Sequence, residues 1–475
     1  MSKARALGIS VIRNKGFRLP ILLCTILAFL ALSLGAVCGA VQSDKQLVID
    51  SQTRRRIIDK VINELQLKYI APERIKNIES KLRAKLQSGE YDKIENPRQF
   101  ATTITGDLRT AGNDLHLFIT YDPVLERAIM AAPQTPSVDL QELPPSDESL
   151  AELRRSNYNF RKVEIMSGNV GYLDLRSFVD LNLSKDTAVA AMNFLSNADA
   201  VIIDLRKNPG GFINLEIFLA SYFYGVDPVE LLSRYHREGD VTVRDWTLRE
   251  VPGKRLQHTD LYILTSKETG SASEGFSFIL QQRKRAKVIG EKTSGAGYGN
   301  KEYAIGEGFV FFISVFRQLD PRTGRGWQNV GVEPDIMVPA ERALSAAHLE
   351  AVKALAAKTN DERKKQQLNW LAPLLGLEIN GAKQVSETIL GKYVGKYTPQ
   401  ITVSIEQGQP YFLGASGVKR RLLALADDYF LIEDVSVPPE SQARVRFVMN
   451  AAGLVTELQL VVADGRTFPR VREQQ

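Results

Sequence analysis

The feature that most constrains the fold is an alternation, within residues 170–357, of short apolar segments with segments of helical periodicity. The apolar segments occupy residues 170–175, 201–205, 261–264, 288–289 and 309–316. The helical segments occupy residues 187–195, 214–223, 274–285 and 340–357. Strands that are almost continuously apolar are typical of sheets buried on both faces. The pattern therefore predicts an α/β core with helices on both sides of a sheet.

The N-terminal residues 1–40 have the composition of an export signal. They contain five lysine or arginine residues and no acid, with an apolar run at 19–37 and then the small residues Gly39 and Ala40. This order is typical of a signal peptide, and the run is just long enough to span a bilayer if it is retained as an anchor. We therefore expect an exported protein, periplasmic or extracellular, that contacts a membrane only through residues 19–37.

Charge and cysteine content exclude some function classes. The chain of 475 residues has a net charge of +6; five of these charges lie in residues 1–40, so the remainder carries +1. A nearly neutral chain lacks the excess positive charge that binds nucleic acid, so we expect no nucleic-acid partner. Both cysteines, Cys24 and Cys38, also lie in this N-terminal region. The remainder is therefore predicted to have neither disulfides nor thiol chemistry.

Changes of periodicity and composition predict the domain organisation. The expected segments after the export signal are a helical unit at 44–131, a proline-containing linker at 132–150, the α/β core at 151–358, a charged connector at 359–388 and an antiparallel β domain at 389–475. In the last of these, strand-like segments flank Gly408 and Gly453, as the strands of hairpins do.

Residues 265–276 form the first candidate site. They join the apolar run 261–264 to a helical segment, so Ser271 would lie at a helix N-terminus, where unpaired N–H groups and the helix dipole favour a developing anion. Such a position suits a nucleophile whose substrate becomes an oxyanion. Ser271 and Glu274 also have the spacing of a capping box, which is a purely structural alternative.

Two further positions have a functional and a structural interpretation. His116 precedes a strand-like segment and could act as a general base near neutral pH, or could be a packed or surface residue. Gly210 and Gly211 follow the strand at 201–205, where their N–H groups could approach an oxyanion or simply form a turn. The sequence has no metal-ligand spacing and no phosphate-binding loop, so neither a metal nor an organic cofactor is predicted.

Taken in order, these segments resemble peptidase family S41, which includes the C-terminal processing peptidases, the tricorn protease core and the interphotoreceptor retinoid-binding protein modules. The resemblance extends over about residues 57–351. The motifs that carry it lie at 114–117, 159–164, 168–173, 204–211, 265–276, 289–295 and 331–335. The resemblance implies a ClpP/crotonase-like spiral core and a serine peptidase without a cofactor.

The resemblance also indicates the branch of the family. C-terminal processing peptidases pair the serine with a lysine in a Gly-Lys-Gly sequence, but this chain has Ala296 in the lysine's place, and Lys292 lies four positions earlier. The PDZ domain that is usual in that branch would not fit within residues 132–150. The tricorn-like and retinoid-binding-like branch instead has a histidine where His116 stands.

The roles of the site residues follow from this branch. Ser271 would attack the peptide carbonyl, and His116 would take its proton and return it to the leaving amine. Backbone N–H groups of Gly210, Gly211 and Ala272 would bind the oxyanion.

Three residues are candidates for the group that orients the histidine. The branch often has a glutamate where this chain has Gln328, and an amide can hydrogen-bond an imidazole but cannot stabilise imidazolium by charge. Glu333 and Asp114 are the alternative orienting residues.

The sequence thus predicts an exported serine peptidase that acts on protein or peptide substrates. Two alternatives stay open. One is a non-catalytic module of the same fold that binds lipid or retinoid-like ligands, and the other is a hydrolase of small esters or amides. Homo-oligomer formation is also left open.

Overall fold

The computed structural model describes residues 48–132, 145–438 and 441–474. The predicted export signal at 1–40 lies outside these residues. The helices are α1 Ser51–Lys68, α2 Ile75–Gln87, α3 Pro97–Gly112, α4 Pro123–Ala131, α5 Asp147–Arg155, α6 Leu181–Leu195, α7 Ile213–Ser221, α8 Ala272–Gln282, α9 Ala343–Lys358, α10 Glu362–Asn380 and α11 Glu387–Tyr393. Within the described ranges, none of these helices combines the length and apolarity needed to cross a bilayer.

The strands form three sheets. In chain order they are β1 Phe118–Tyr121, β2 Phe160–Met166, β3 Val170–Leu175, β4 Ala200–Asp204, β5 Glu230–His236, β6 Val241–Trp246, β7 Asp260–Thr265, β8 Ala286–Gly290, β9 Tyr298–Gly306, β10 Phe309–Leu319, β11 Ile336–Met337, β12 Gly395–Thr398, β13 Ile401–Glu406, β14 Gln409–Leu413, β15 Lys419–Ala424, β16 Tyr429–Ile432, β17 Arg444–Met449, β18 Val455–Val461 and β19 Thr467–Arg472.

The core is a six-stranded sheet in the order β11-β8-β7-β4-β3-β2, parallel throughout except between β2 and β3. Alternate residues of β4 face opposite sides: Val201 and Ile203 pack in the cluster formed with α6, α7 and α8, whereas Ile202 packs in the cluster formed with α9 and α10. The predicted α/β core, covered on both faces, is confirmed. The turns that follow the parallel strands meet at the carboxyl edge of such a sheet, where α/β proteins place their sites.

A second sheet connects the N-terminal helices to this core. Strand β10 pairs with β1, β5 and β9, and β6 continues the sheet beyond β5. Helices α1, α2 and α3 bury their apolar faces against the same sheet, and the rings of Phe118 and Phe312 stack across β1 and β10 with centroids 4.1 Å apart. The predicted helical N-terminal unit is confirmed, and its last strand lies within a sheet that it shares with later parts of the chain.

The C-terminal region is a closed antiparallel sheet of eight strands, β12 to β19. Ile405 opposes Pro410 in the hairpin around Gly408, and β17 and β18 form the hairpin around Gly453. Aromatic rings, including the stacked pair Tyr393 and Phe447, fill its interior. The predicted C-terminal antiparallel β domain is confirmed.

Three segments differ from the expectations. The end of the predicted linker at 132–150 belongs to α5, and residues 133–144 lie outside the described ranges. The predicted connector at 359–388 contains α10, which buries Leu368 and Leu371 against the parallel sheet. Strands β5 and β6 were not predicted, because their sequences are rich in polar and charged residues.

Candidate active site

Ser271 lies in the turn between β7 and α8, at the carboxyl edge of the parallel sheet. Its backbone has φ +50° and ψ −122°, a conformation that residues other than glycine rarely adopt and that costs about 1–3 kcal/mol. A strained strand-to-helix turn of this kind exposes the side chain of its central residue beyond the sheet edge. Ser271 is the N-cap of α8 and forms the predicted capping box with Glu274, and it also lines a pocket at this edge of the sheet.

The fold brings His116 to this hydroxyl. Nε2 of His116 lies 3.2 Å from Oγ of Ser271, although the two residues are 155 positions apart. The backbone of His116 is held from two sides, since its N–H donates to Oδ1 of Asp114 at 3.0 Å and its carbonyl accepts from Nδ2 of Asn300 at 3.2 Å. The imidazole thus stands within hydrogen-bond reach of the hydroxyl.

Asp114 supplies the charge closest to the other side of the imidazole. Its Oδ1 lies 4.0 Å from Nδ1 of His116, which is longer than a hydrogen bond. Nδ1 has no hydrogen-bond partner among the described residues. The Asp114 carboxylate is buried and accepts a hydrogen bond from the Tyr69 hydroxyl at 3.1 Å.

Burial lowers the pKa of His116, while Asp114 opposes that shift and Arg109 adds to it. The imidazole is therefore neutral at neutral pH, the form that a general base requires.

The three expected oxyanion donors are not equivalent. The N–H of Gly210 donates to Oδ1 of Asn208 at 2.9 Å, so the structure does not leave this group available for a substrate oxygen. Gly210 serves a different purpose, because a Cβ there would lie 2.7 Å from Cβ of Ser271. The N–H groups of Gly211 and Ala272 have no acceptor among the described residues, and both residues line the pocket at Ser271.

Glu274 has a larger role than the helix cap that its spacing indicates. Its buried carboxylate accepts five hydrogen bonds that tie the 293–296 loop to the turn at Ser271. The donors are the N–H groups of Ser271 (2.9 Å), Gly295 (2.7 Å) and Ala296 (2.8 Å) and the hydroxyls of Thr293 (2.6 Å) and Ser294 (3.1 Å). Burial raises the pKa of Glu274, and these hydrogen bonds oppose the rise. The sequence signal for this residue was its position three residues after Ser271.

Two expected orienting residues do not lie against His116. Oε1 of Gln328 accepts from the N–H groups of Gly297 at 2.6 Å and Tyr298 at 2.9 Å, so it holds the start of β9. Glu333 forms an exposed ion pair with Lys292 at 3.3 Å. Of the three candidates, the structure brings only Asp114 close to the imidazole, and it places Lys292 at the surface rather than at the nucleophile.

A pocket of about 330 Å³ lies beside the hydroxyl. Its lining includes Ile213 and Ile217 from α7, Phe316 and Gln318 from β10, and Arg234 from β5. None of these residues was predicted as part of a site, because no motif marks them in the sequence. Within the described ranges, no group of three or more His, Cys, Asp or Glu side chains is arranged to hold a metal ion.

These parts form a set that suits acyl transfer. A hydroxyl lies within reach of a neutral imidazole, and two backbone N–H groups beside it are unoccupied. A nucleophile, a base and oxyanion donors are the groups that a serine hydrolase requires.

Comparisons with known proteins give the family context of this geometry. The family model described as Peptidase family S41 matches residues 169–338. A second model, described as the N-terminal domain of Peptidase_S41 in eukaryotic IRBP, matches residues 40–166. The two matches together cover the helical unit and the α/β core.

Curated relatives are named as proteases. A probable CtpA-like serine protease of Staphylococcus haemolyticus is 22% identical over 261 residues, which are 55% of this chain and 51% of that protein. A carboxyl-terminal-processing protease of a Picosynechococcus species is 29% identical over 174 residues, 36% of this chain and 40% of that protein. The matches thus span about half the length of these relatives or less. Among solved structures, the photosystem II D1 C-terminal processing protease is similar over 61% of this chain and 94% of its own, with 15% identity and a TM-score of 0.39.

Proposed function

Because the chain belongs to peptidase family S41, we propose that it is an exported serine peptidase that hydrolyses peptide bonds through an acyl-enzyme on Ser271. The observation that carries this proposal is the 3.2 Å separation between Nε2 of His116 and Oγ of Ser271. The strained backbone of Ser271, with a φ of +50°, supports the same proposal, because such strain is concentrated at functional sites.

The proposed reaction follows from the positions of these groups. Neutral His116 takes the hydroxyl proton as Oγ of Ser271 attacks the carbonyl carbon, and the N–H groups of Gly211 and Ala272 stabilise the oxyanion. The imidazolium then gives its proton to the leaving amine, and a water activated by the same imidazole hydrolyses the ester. Asp114 stabilises the imidazolium through its charge, at 4.0 Å, rather than through a hydrogen bond.

Protein or peptide substrates and export are the finer parts of the proposal. The relatives named as CtpA-like or carboxyl-terminal-processing proteases support a peptide substrate. The charge and apolar pattern of residues 1–40 supports export to the periplasm or the extracellular space, with residues 19–37 as an anchor if they are retained. Fractionation of cells that express the full chain, with the N-terminus of the product determined by mass spectrometry, tests this part.

The two alternatives differ from the proposal in what the pocket should hold. A pocket of about 330 Å³ whose lining includes the guanidinium-bearing Arg234 and the amide-bearing Gln318 suits a peptide side chain better than a long apolar ligand. A hydrolase of small esters would share the nucleophile. Turnover of short esters without cleavage of an unfolded protein would favour that alternative.

The decisive experiment is covalent labelling with a fluorophosphonate, read by intact mass. We expect one adduct on the wild type and none on Ser271→Ala or His116→Ala. Two matched controls separate the site from general effects: Ser273→Ala removes a buried hydroxyl two residues away, and His258→Ala removes an exposed imidazole. Both controls should label like the wild type. A folded wild type that forms no adduct would refute the catalytic proposal and favour the binding alternative.

A further inference from the structure

We propose that the side-chain amide of Gln318 makes the pocket beside Ser271 a subsite for an uncharged, hydrogen-bonding substrate side chain, with glutamine and asparagine as the best fit. The inference rests on the proposed peptidase function, because it concerns the residue next to the bond that is cleaved. It goes further by naming the class of side chain and the residue that selects it.

Gln318 is placed to contact a substrate side chain. It lies on β10 opposite Arg234 of β5, and only 3% of its surface is exposed, yet it lines the pocket. Its Oε1 is buried and has no hydrogen-bond partner among the described residues. A buried carbonyl without a donor costs about 1–3 kcal/mol, so a substrate N–H or O–H that meets it is favoured by a similar amount.

The charges around the pocket disfavour an ionised side chain. Arg234 lines the pocket but is committed to Asp245, with Nε to Oδ2 at 2.7 Å and a second bond at 2.8 Å. Both partners are buried, and the pair has no net charge. An acidic substrate side chain would have to compete with Asp245 for the guanidinium of Arg234, and a basic one would meet that guanidinium as a like charge. Neither would gain a counter-ion that offsets its desolvation.

The rest of the lining suits the stem of an amide side chain. Ile213, Ile217 and Phe316 provide apolar surface for methylene groups. The Phe316 ring lies against the backbone at Gly299, where a Cβ would come within 1.8 Å of the ring. Two side-chain amides can also pair reciprocally, each donating an N–H to the oxygen of the other. A glutamine or asparagine side chain would therefore satisfy Gln318 and itself together.

The test is substrate profiling with peptides that differ at the positions flanking the cleaved bond, read by mass spectrometry. For the wild type, we expect one flanking position to favour glutamine over methionine, which has a similar length, by about tenfold or more in kcat/KM. In Gln318→Met, this preference should disappear or reverse. Gln318→Glu keeps an acceptor in the same place and should retain the preference for glutamine over methionine. Gln257→Met makes the same change at an exposed position and should profile like the wild type.

The outcomes separate this inference from the proposed function. Wild-type protein that cleaves peptides with no preference for amide side chains, or folded Gln318→Met protein that keeps the wild-type profile, would overturn the subsite and leave the peptidase proposal intact. Wild-type protein that neither labels at Ser271 nor cleaves any peptide would overturn both. Thermal melting of each variant establishes that it is folded, and Gln318→Glu provides the comparison if Gln318→Met does not fold.

Discussion

Glu274→Gln is the change that most directly tests how the nucleophile's turn is held. The substitution keeps the side chain's shape but replaces one accepting oxygen with an NH2 group. Oε1 of Glu274 accepts from Thr293 and Gly295, and Oε2 accepts from Ser271, Ser294 and Ala296. Whichever oxygen is replaced, at least one buried backbone N–H loses its acceptor and faces another donor.

The expected loss of stability follows from the less costly of the two orientations that the new side-chain amide can adopt. If the remaining oxygen stays in the Oε2 position, the N–H of Gly295 is left unpaired, whereas the Thr293 hydroxyl can turn to accept from the new NH2 group. A hydrogen bond to a charged acceptor contributes about 1.5–3 kcal/mol, and an unpaired buried donor costs about 1–3 kcal/mol. The two figures describe partly the same lost hydrogen bond, so they cannot simply be added. We therefore expect a loss of about 2–4 kcal/mol in the free energy of unfolding and a Tm lower by several degrees.

The assay is thermal unfolding together with the rate of fluorophosphonate labelling. The labelling rate should fall more than stability alone explains, because Glu274 also accepts the N–H of the labelled serine. Glu268→Gln is the matched control, since it makes the same change on an exposed side chain in the same turn. If Glu274→Gln melts and labels like Glu268→Gln, the carboxylate does not hold the turn and this reasoning is refuted.

Two further changes probe the base and the close approach of the glycine turn. Burial lowers the pKa of His116, so the acid limb of the kcat/KM profile is expected below pH 6.5. Asp114→Asn removes the charge that raises this pKa, so the acid limb should move to still lower pH and the plateau should fall. Asp92→Asn changes an exposed carboxylate and should leave the profile unchanged. Gly210→Ala places a Cβ 2.8 Å from a backbone carbonyl at a φ of +116°, so labelling should be lost and stability reduced by at least about 1 kcal/mol. Gly376→Ala, within helix α10, meets no atom within 4 Å; it should label like the wild type and be at least as stable.

The parallel core could be predicted because burial on both faces leaves a simple pattern. The segment at 261–264 is apolar throughout, the segment at 201–205 is apolar except for Asp204, and both belong to strands of the central sheet. Helix α10 was missed because its first turns are charged and exposed, so its buried residues begin only at Leu368. Strands β5 and β6 were missed for a related reason: they bury charged residues, including the paired Arg234 and Asp245, and buried charges interrupt the apolar alternation that marks a strand.

The candidate site was only partly accessible from sequence. Spacing alone left Ser271 as a cap or a nucleophile, and its pairing with His116 came from the resemblance rather than from any local pattern. Gln328 and Glu333 were expected beside His116, but Gln328 accepts from the N–H of Gly297 and Glu333 pairs with Lys292, contacts that the spacing in the sequence does not reveal. Gln318 carried no signal, since its environment is created by strands far apart in the chain.

The pairing of β1 with β10 would keep the proposed active site inactive until the chain has folded. A peptidase emerging unfolded into its compartment is surrounded by its own extended chain, which is a potential substrate. His116 precedes β1 and Ser271 follows β7, so the pairing of β1 with β10, which includes Phe118 opposite Phe312, holds the proposed base beside the proposed nucleophile. A nascent, cleaved or half-denatured chain would therefore carry an inert serine. If Ser271 acts as proposed, protection from self-digestion would come from the order of assembly.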